Sequence, residues 1–195
     1  MVSRETLISR YFPGRERQIG AYADFLTSAG IERGLIGPKE GDIIWERHIF
    51  NCLPVLSLIP KGVKVIDIGS GAGLPGIPIA LARPDLTVVL VEPLQRRVDF
   101  LNEALGIIES DNVTVFRGRA QDVKTKSEVV TARAVAPMEK LIIITRHLLK
   151  PGGVLLAIKG ESAQEEAMRV PGTQFHEIDM DDLPQGRVIS LRKPG

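Results

Sequence analysis

The sequence predicts an α/β fold: an open, Rossmann-like, mostly parallel sheet over residues 61–195, preceded by a small helical unit over residues 1–60. Three observations predict it. From Val63 onward, short β-branched runs alternate with helix-like segments, the spacing of βαβ units. One of those runs opens directly into Gly69-Ser70-Gly71-Ala72-Gly73, a strand-to-helix glycine turn. Before residue 60 the apolar residues recur at helical spacing instead.

The elements follow in order. Between Leu7 and Leu58, residues Ile19, Tyr22, Ala23, Phe25 and Leu26 mark one helical face, and Gly14, Gly30, Gly34, Gly37-Pro38 and Gly41 break the region into short helices. Asp42 is placed to cap a helix through Ile43, Ile44, Trp45, His48 and Ile49. Pro60-Lys61-Gly62 marks the boundary. Strands are expected at Val63–Ile68, Thr87–Val91, Val113–Phe116, Glu128–Ala132 and Val154–Ile158, with helices at Pro75–Ala82, Leu94–Leu105 and Pro137–Leu149. Gln174–Asp179 and Arg187–Leu191 form a closing hairpin about Pro184-Gln185-Gly186.

Composition narrows the function. At 195 residues, 44% hydrophobic and 25% charged, the chain is a globular domain with an appendage. No apolar run approaches the ~20 residues of a membrane span, and Met1-Val2-Ser3-Arg4-Glu5 lacks the core of a secretory signal. A cytoplasmic protein, with no membrane partner, is expected. Cys52 is the single cysteine, so neither a disulfide nor a cysteine metal cluster is expected, and it is read as a buried core thiol. Lys+Arg 25 against Asp+Glu 24 gives +1, so any nucleic-acid contact must come from a local basic face. Aromatics at 5% are too few for an extended base-stacking platform.

The glycine turn can serve two ligands. Gly71-Ala72-Gly73-Leu74-Pro75-Gly76 matches the dinucleotide pattern, and Glu92 ends the next strand where such folds hold ribose hydroxyls. Asp67, just before the turn, would oppose a pyrophosphate but suits the sulfonium and ammonium of S-adenosyl-L-methionine. Electrostatics therefore favour adenosylmethionine over a dinucleotide-dependent oxidoreductase. The fourth strand ends in Thr131-Ala132-Arg133-Ala134-Val135-Ala136-Pro137, without the motif of exocyclic-amine methylation or the Pro-Cys of cytosine-ring methylation. What is left is an acceptor that needs neither a covalent nucleophile nor a base. Guanine N7, with its free lone pair, is such an acceptor, and its methylation can rest on holding the reactants in line.

Arg133 interrupts an apolar run at the ligand end of its strand, which makes it the first functional side chain; Arg133→Ala is expected to remove methylation and leave the fold intact. His48 is expected to help place substrate, and Trp45 to pack. Arg96, Arg97, Arg117, Arg119, Lys124, Lys126 and Lys159 are candidates for a phosphate-facing patch.

Leu35-Ile36-Gly37-Pro38, Trp45-Glu46-Arg47-His48, Asp67 through Pro78, Val91-Glu92-Pro93, Arg117 through Asp122, Arg133 through Pro137 and Lys159-Gly160 together resemble the bacterial small-subunit ribosomal RNA methyltransferase G family, also called the glucose-inhibited division protein B family. The resemblance spans nearly the whole chain. It implies a class I methyltransferase fold with a seven-stranded sheet, S-adenosyl-L-methionine as cofactor, and transfer of its methyl to guanine N7 in the decoding region. Carried over by position, it implies that Gly69 and Leu74 line the methionine side and Glu92 takes the ribose, beside Asp67, Gly71 and Gly73, which the turn itself marks as cofactor-binding. Ala120 and Gln121 would flank the adenine, and Arg133 would lie beside the cofactor. Leu74 stands where many members have Phe, and Gln121 where Glu is common. The partner is small-subunit ribosomal RNA, bare or within a subunit or assembly intermediate, and the protein is expected to be a monomer. A small-molecule methyltransferase on the same fold, and a non-catalytic RNA-binding assembly factor, remain alternatives.

Overall fold

A computed structural model describes residues 2–195. One sheet is built from β1 (Lys64–Ile68), β2 (Thr87–Glu92), β3 (Val113–Arg117), β4 (Ser127–Arg133), β5 (Leu149–Ile158), β6 (Thr173–Ile178) and β7 (Gly186–Arg192). Their order across it is β3-β2-β1-β4-β5-β7-β6. The first five strands are parallel, and β7 runs antiparallel to both β5 and β6, as the expected closing hairpin. This is the doubly wound, mostly parallel sheet that the strand-helix alternation predicts, with the seven strands that the resemblance implies. The order reverses between β1 and β4, so the crevice of the fold opens beyond their carboxyl ends.

Side-chain alternation explains why helices cover both faces. Val65 of β1 joins one buried cluster, while Ile66 and Ile68 join the other. The first cluster also takes apolar residues of α1 (Arg4–Tyr11), α2 (Glu16–Phe25), α3 (Gly76–Ala82) and α4 (Gln95–Ile108). The second takes α5 (Met138–Thr145) and α6 (Ala163–Arg169).

The helical N-terminal unit is continuous with the first of these cores. Phe25 of α2 stacks on Phe100 of α4 with centroids 4.6 Å apart. The Tyr22 hydroxyl, fully buried, donates to the Ala72 carbonyl in the glycine turn at 2.7 Å. Helix α2 thus braces the glycine turn as well as preceding it in sequence.

Several elements differ from the sequence reading. Asp42 caps nothing: it lies inside a 3-10 turn, Gly41–Ile43, and the chain then runs through a π-helical stretch, Ile44–Ile49, carrying Trp45, Arg47 and His48. The expected helix to Leu149 stops at Thr145, because a 3-10 turn over Arg146–Leu148 leads into a β5 that starts at Leu149. Helix α6 was not predicted. Its polar Gln164, Glu165 and Glu166 obscure a face of only Ala163 and Ala167. Trp45 packs as expected, tilted against Phe50 at 5.5 Å.

Candidate active site

Three strand ends converge at the crevice. The turn after β1 holds Gly69, Gly71 and Gly73 at φ +67°, +59° and +101°, values that L side chains rarely adopt. Gly69 N–H donates to the Val91 carbonyl at 2.8 Å, which hooks the turn over β2. Leu74 is buried and, with Gly69 and Gly71, lines a narrow cleft shared with Leu35, Ile36, Arg97 and Arg133, while Gly73 packs behind it on Ile77 and Tyr22.

Glu92 ends β2 with its carboxylate almost wholly buried. One oxygen accepts from Gly71 N–H at 3.0 Å and the other from Leu94 N–H at 3.0 Å. Arg97 Nη1 stands 3.6 Å away, and Arg97 Nε is buried without a partner. Arg97, a candidate for the basic patch, thus lines the cleft with its guanidinium beside Glu92. The neighbouring loop is tied to the same point, since Gly118 N–H donates to the Glu92 carbonyl at 3.1 Å. Just beyond it, Ala120 is buried with its carbonyl accepting from His147 Nε2 at 3.0 Å, and Gln121 is exposed.

Asp67 departs from expectation. It is fully buried beneath the turn and does not line the cleft, so it offers no open carboxylate to a ligand. Its Oδ1 accepts from Thr131 of β4 at 3.0 Å and its main-chain carbonyl from the Ser70 hydroxyl at 3.0 Å, while Oδ2 has no partner. Burial pushes its pKa up to about 6, against the pull of those donors. The sign of the linkage follows. A carboxyl raised in the folded state binds more protons folded than unfolded between about pH 4 and 6, so its contribution falls as pH rises through that window. At neutral pH the cost is about 3 kcal/mol. Asp67→Asn is therefore expected to gain on the parent as pH climbs from 4 to 7, by about 1–3 kcal/mol in urea denaturation. An unchanged difference across that range would mean that Asp67 titrates normally.

The structure brings together the two residues singled out as catalytic. Arg133, at the end of β4, donates through Nη2 to His48 Nδ1 at 2.9 Å and through Nη1 to the His48 carbonyl at 3.1 Å. Nη1 also stands 3.3 Å from Cys52 Sγ. Because guanidinium can only donate, Nδ1 is the acceptor, and the proton of the neutral ring is on Nε2. Burial first and then the Arg133 charge hold the His48 pKa below its ordinary value. Cys52 is buried as expected, donates to the His48 carbonyl at 2.9 Å, and is pushed up to about 11 by burial. It is a prop for this cluster and no nucleophile.

Three features went unread in the sequence. Glu40 Oε2 lies 3.0 Å from His48 Nε2, out of line for a hydrogen bond, and Glu40 borders both the glycine cleft and the crevice beside it. Its setting, Gly37-Pro38-Lys39-Glu40-Gly41, carries no periodicity to mark it. Ala134, next to Arg133, has φ +54°, a strained backbone of the kind that collects at functional sites. Thr131 could have been noticed, as the polar residue in an apolar strand paired in register with Asp67.

The basic patch divides. Arg96, Arg117 and Arg119 are exposed at the carboxyl ends of β2 and β3. Lys124 and Lys126 sit at the opposite, amino-terminal end of the strands, flanking Thr125, which Lys64 Nζ reaches from the start of β1. Lys159 is largely buried, donating to Glu166 and to the Ala136 carbonyl, both at 2.9 Å. Arg47, more exposed and bordering the crevice, was not in the predicted set.

The model of the rRNA small subunit methyltransferase G family matches residues 15–179. A Thermobifida fusca protein named ribosomal RNA small subunit methyltransferase G is 56% identical over 147 residues, covering 74% of this chain and 62% of its own. A Kineococcus radiotolerans protein of the same name is 52% identical over 183 residues, covering 91% and 71%. The chain thus spans about 62% of the length of the first of these relatives. Among solved structures, a Pyrococcus furiosus methyltransferase superposes with TM-score 0.58 at 15% identity, covering 73% of this chain and 81% of its own. M. jannaschii TYW2 in complex with AdoMet gives 0.54 at 18% identity, covering 76% of each. The fold is shared with these methyltransferases, and the family match across most of the sequence makes this chain a member of the rRNA small subunit methyltransferase G family.

Proposed function

We propose that the protein transfers the methyl group of S-adenosyl-L-methionine to guanine N7 in small-subunit ribosomal RNA, as a cytoplasmic monomer. The observation that carries this reading is the meeting of the glycine turn and Glu92 with an Arg133–His48 clamp in which the imidazole is neutral and already spent as an acceptor. Such a site can orient an acceptor and holds no free imidazole to take a proton, and a lone-pair nucleophile requires none.

The residues present fit the cofactor. Asp67, Glu92 and Glu40 border or underlie the cleft against Arg97 and Arg133, a balance that suits a ligand of net positive charge and opposes a pyrophosphate. Gly69, Gly71, Gly73 and Leu74 would hold the methionine side, with Asp67 acting from beneath as support for the turn. Glu92 would take the ribose by sharing the oxygens now given to Gly71 and Leu94, and Ala120 and Gln121 would flank the adenine. The bound cofactor supplies an electrophilic methyl. Arg133, fixed at three points, and His48 would hold the base, while Arg47 at the rim meets RNA phosphate.

The test is transfer of labelled methyl to small subunits, and separately to free ribosomal RNA, both lacking the modification. Labelled 7-methylguanosine is the expected product. Label in another nucleoside would overturn the choice of N7, and label in neither RNA substrate would overturn the RNA reading.

A further inference from the structure

We propose that Glu40 reads the amino edge of the substrate guanine and stabilises the positive charge that the base acquires on methylation; this rests on the function proposed above. The crevice next to the glycine cleft has a volume of about 400 Å³ and is lined by Glu40, Arg47, His48, Asn51, Arg133 and Lys159 among others. Most of its polar groups are committed. Arg133 is clamped on His48 and Cys52, and Lys159 is held by Glu166 and the Ala136 carbonyl. Glu40 is the one carboxylate among the described lining residues. Its neighbours are His48 Nε2, out of hydrogen-bond line at 3.0 Å, and Arg47 Nε at 3.7 Å. A carboxylate can accept about four hydrogen bonds, so most of that capacity is free at the border between the two clefts.

Guanine is the base that answers such a group. Its N1–H and N2–H₂ are adjacent donors that a carboxylate can accept side by side, whereas adenine presents an acceptor at N1. The N7 lone pair, on the far edge of the ring, stays free. In the transfer the N7–CH₃ bond forms and the S–CH₃ bond breaks. Sulfur keeps the electron pair, no proton moves, and one positive charge passes from sulfur to the purine. That charge strengthens N1–H and N2–H₂ as donors, so a carboxylate there binds the transition state more tightly than the ground state.

The experiment pairs wild type, Glu40→Gln and Glu40→Ala with two RNAs, carrying guanosine or inosine at the methylated position; inosine keeps N7 and N1–H but lacks the amino group. Wild type is expected to lose roughly tenfold to a hundredfold in kcat on inosine, and Glu40→Ala to lose as much on guanosine while no longer distinguishing the two. KM should move less than kcat. Binding of the two RNAs without methyl donor should differ less than their turnover. Glu40→Gln, which keeps one acceptor and sets an amide donor against N1–H, should fall between. Equal turnover of both RNAs by wild type overturns the proposal. So does a Glu40→Ala enzyme that is slower but keeps the wild-type guanosine-to-inosine ratio, since Glu40 would then act only through His48. Failure of wild type on the guanosine RNA would overturn the function proposed above, and this proposal with it, and is visible without any variant.

Discussion

Arg133→Ala is expected to lower methyl transfer by at least about a hundredfold and stability by about 1–3 kcal/mol. The two effects have one origin. Arg133 is the donor on His48 Nδ1, and removing it leaves a buried ring nitrogen without a partner. The His48 carbonyl keeps its bond from Cys52, so the main chain there is still held. The imidazole, however, loses the contact that fixes its rotation, and displacements of about 1 Å in a positioning site cost about a hundredfold in rate. The sequence reading expected the fold to be untouched; the buried contacts to His48 make a stability cost unavoidable. Urea denaturation and kcat/KM, measured where the variant remains folded, separate the two. Arg133→Lys keeps the charge but lacks the planar fork that spans Nδ1 and the carbonyl, so it should recover stability more than rate. Full activity in a folded Arg133→Ala protein would remove Arg133 from the site.

How much of this site could be read in the sequence depended on whether its signal was local. Gly69, Gly71 and Gly73, the strand before them and Glu92 after the next strand form a spaced motif, and each lies where that spacing implies. The parallel strands were legible for the same reason, as apolar runs separated by helices. The pairing of His48 with Arg133 was not. The two are far apart in sequence, and their contact depends on a π-helical stretch over Ile44–Ile49 that helical periodicity does not announce. Asp67 shows the opposite failure. Its position in the motif was read correctly, but motif position says nothing of depth, and here the carboxyl is enclosed by Thr131, Ser70 and the start of α3. Charges were the least legible of all. Arg97, Lys159 and Lys124 look alike in a composition, yet one neutralises Glu92, one is paired inside the crevice and one faces away from it.

Gly73→Ala is the substitution expected to cost most in stability, about 3–5 kcal/mol, with cofactor affinity falling alongside. At φ +101° an alanine is strained whatever the surrounding space, a cost of about 1–3 kcal/mol. The added Cβ would also stand 2.5 Å from Ile77 Cδ1 and 2.9 Å from the Tyr22 hydroxyl. Neither neighbour can yield easily. Ile77 is fully buried in the core, and Tyr22 is fully buried and bonded to the Ala72 carbonyl in the same turn. Displacing Tyr22 would loosen the brace between the N-terminal helices and the cleft, which is why binding and stability should fall together. Gly106→Ala supplies the contrast: within α4 its Cβ would meet nothing within 4 Å, and the change should stabilise by about 0.5–1 kcal/mol. The two causes at Gly73 can be separated by adding Ile77→Val, which deletes the Cδ1 atom in the closest clash. That double variant should regain the Ile77 part of the packing loss and keep both the Tyr22 contact at 2.9 Å and the backbone part. Complete recovery would show that the left-handed conformation of the turn costs an alanine little, and that the glycine is required there only for room.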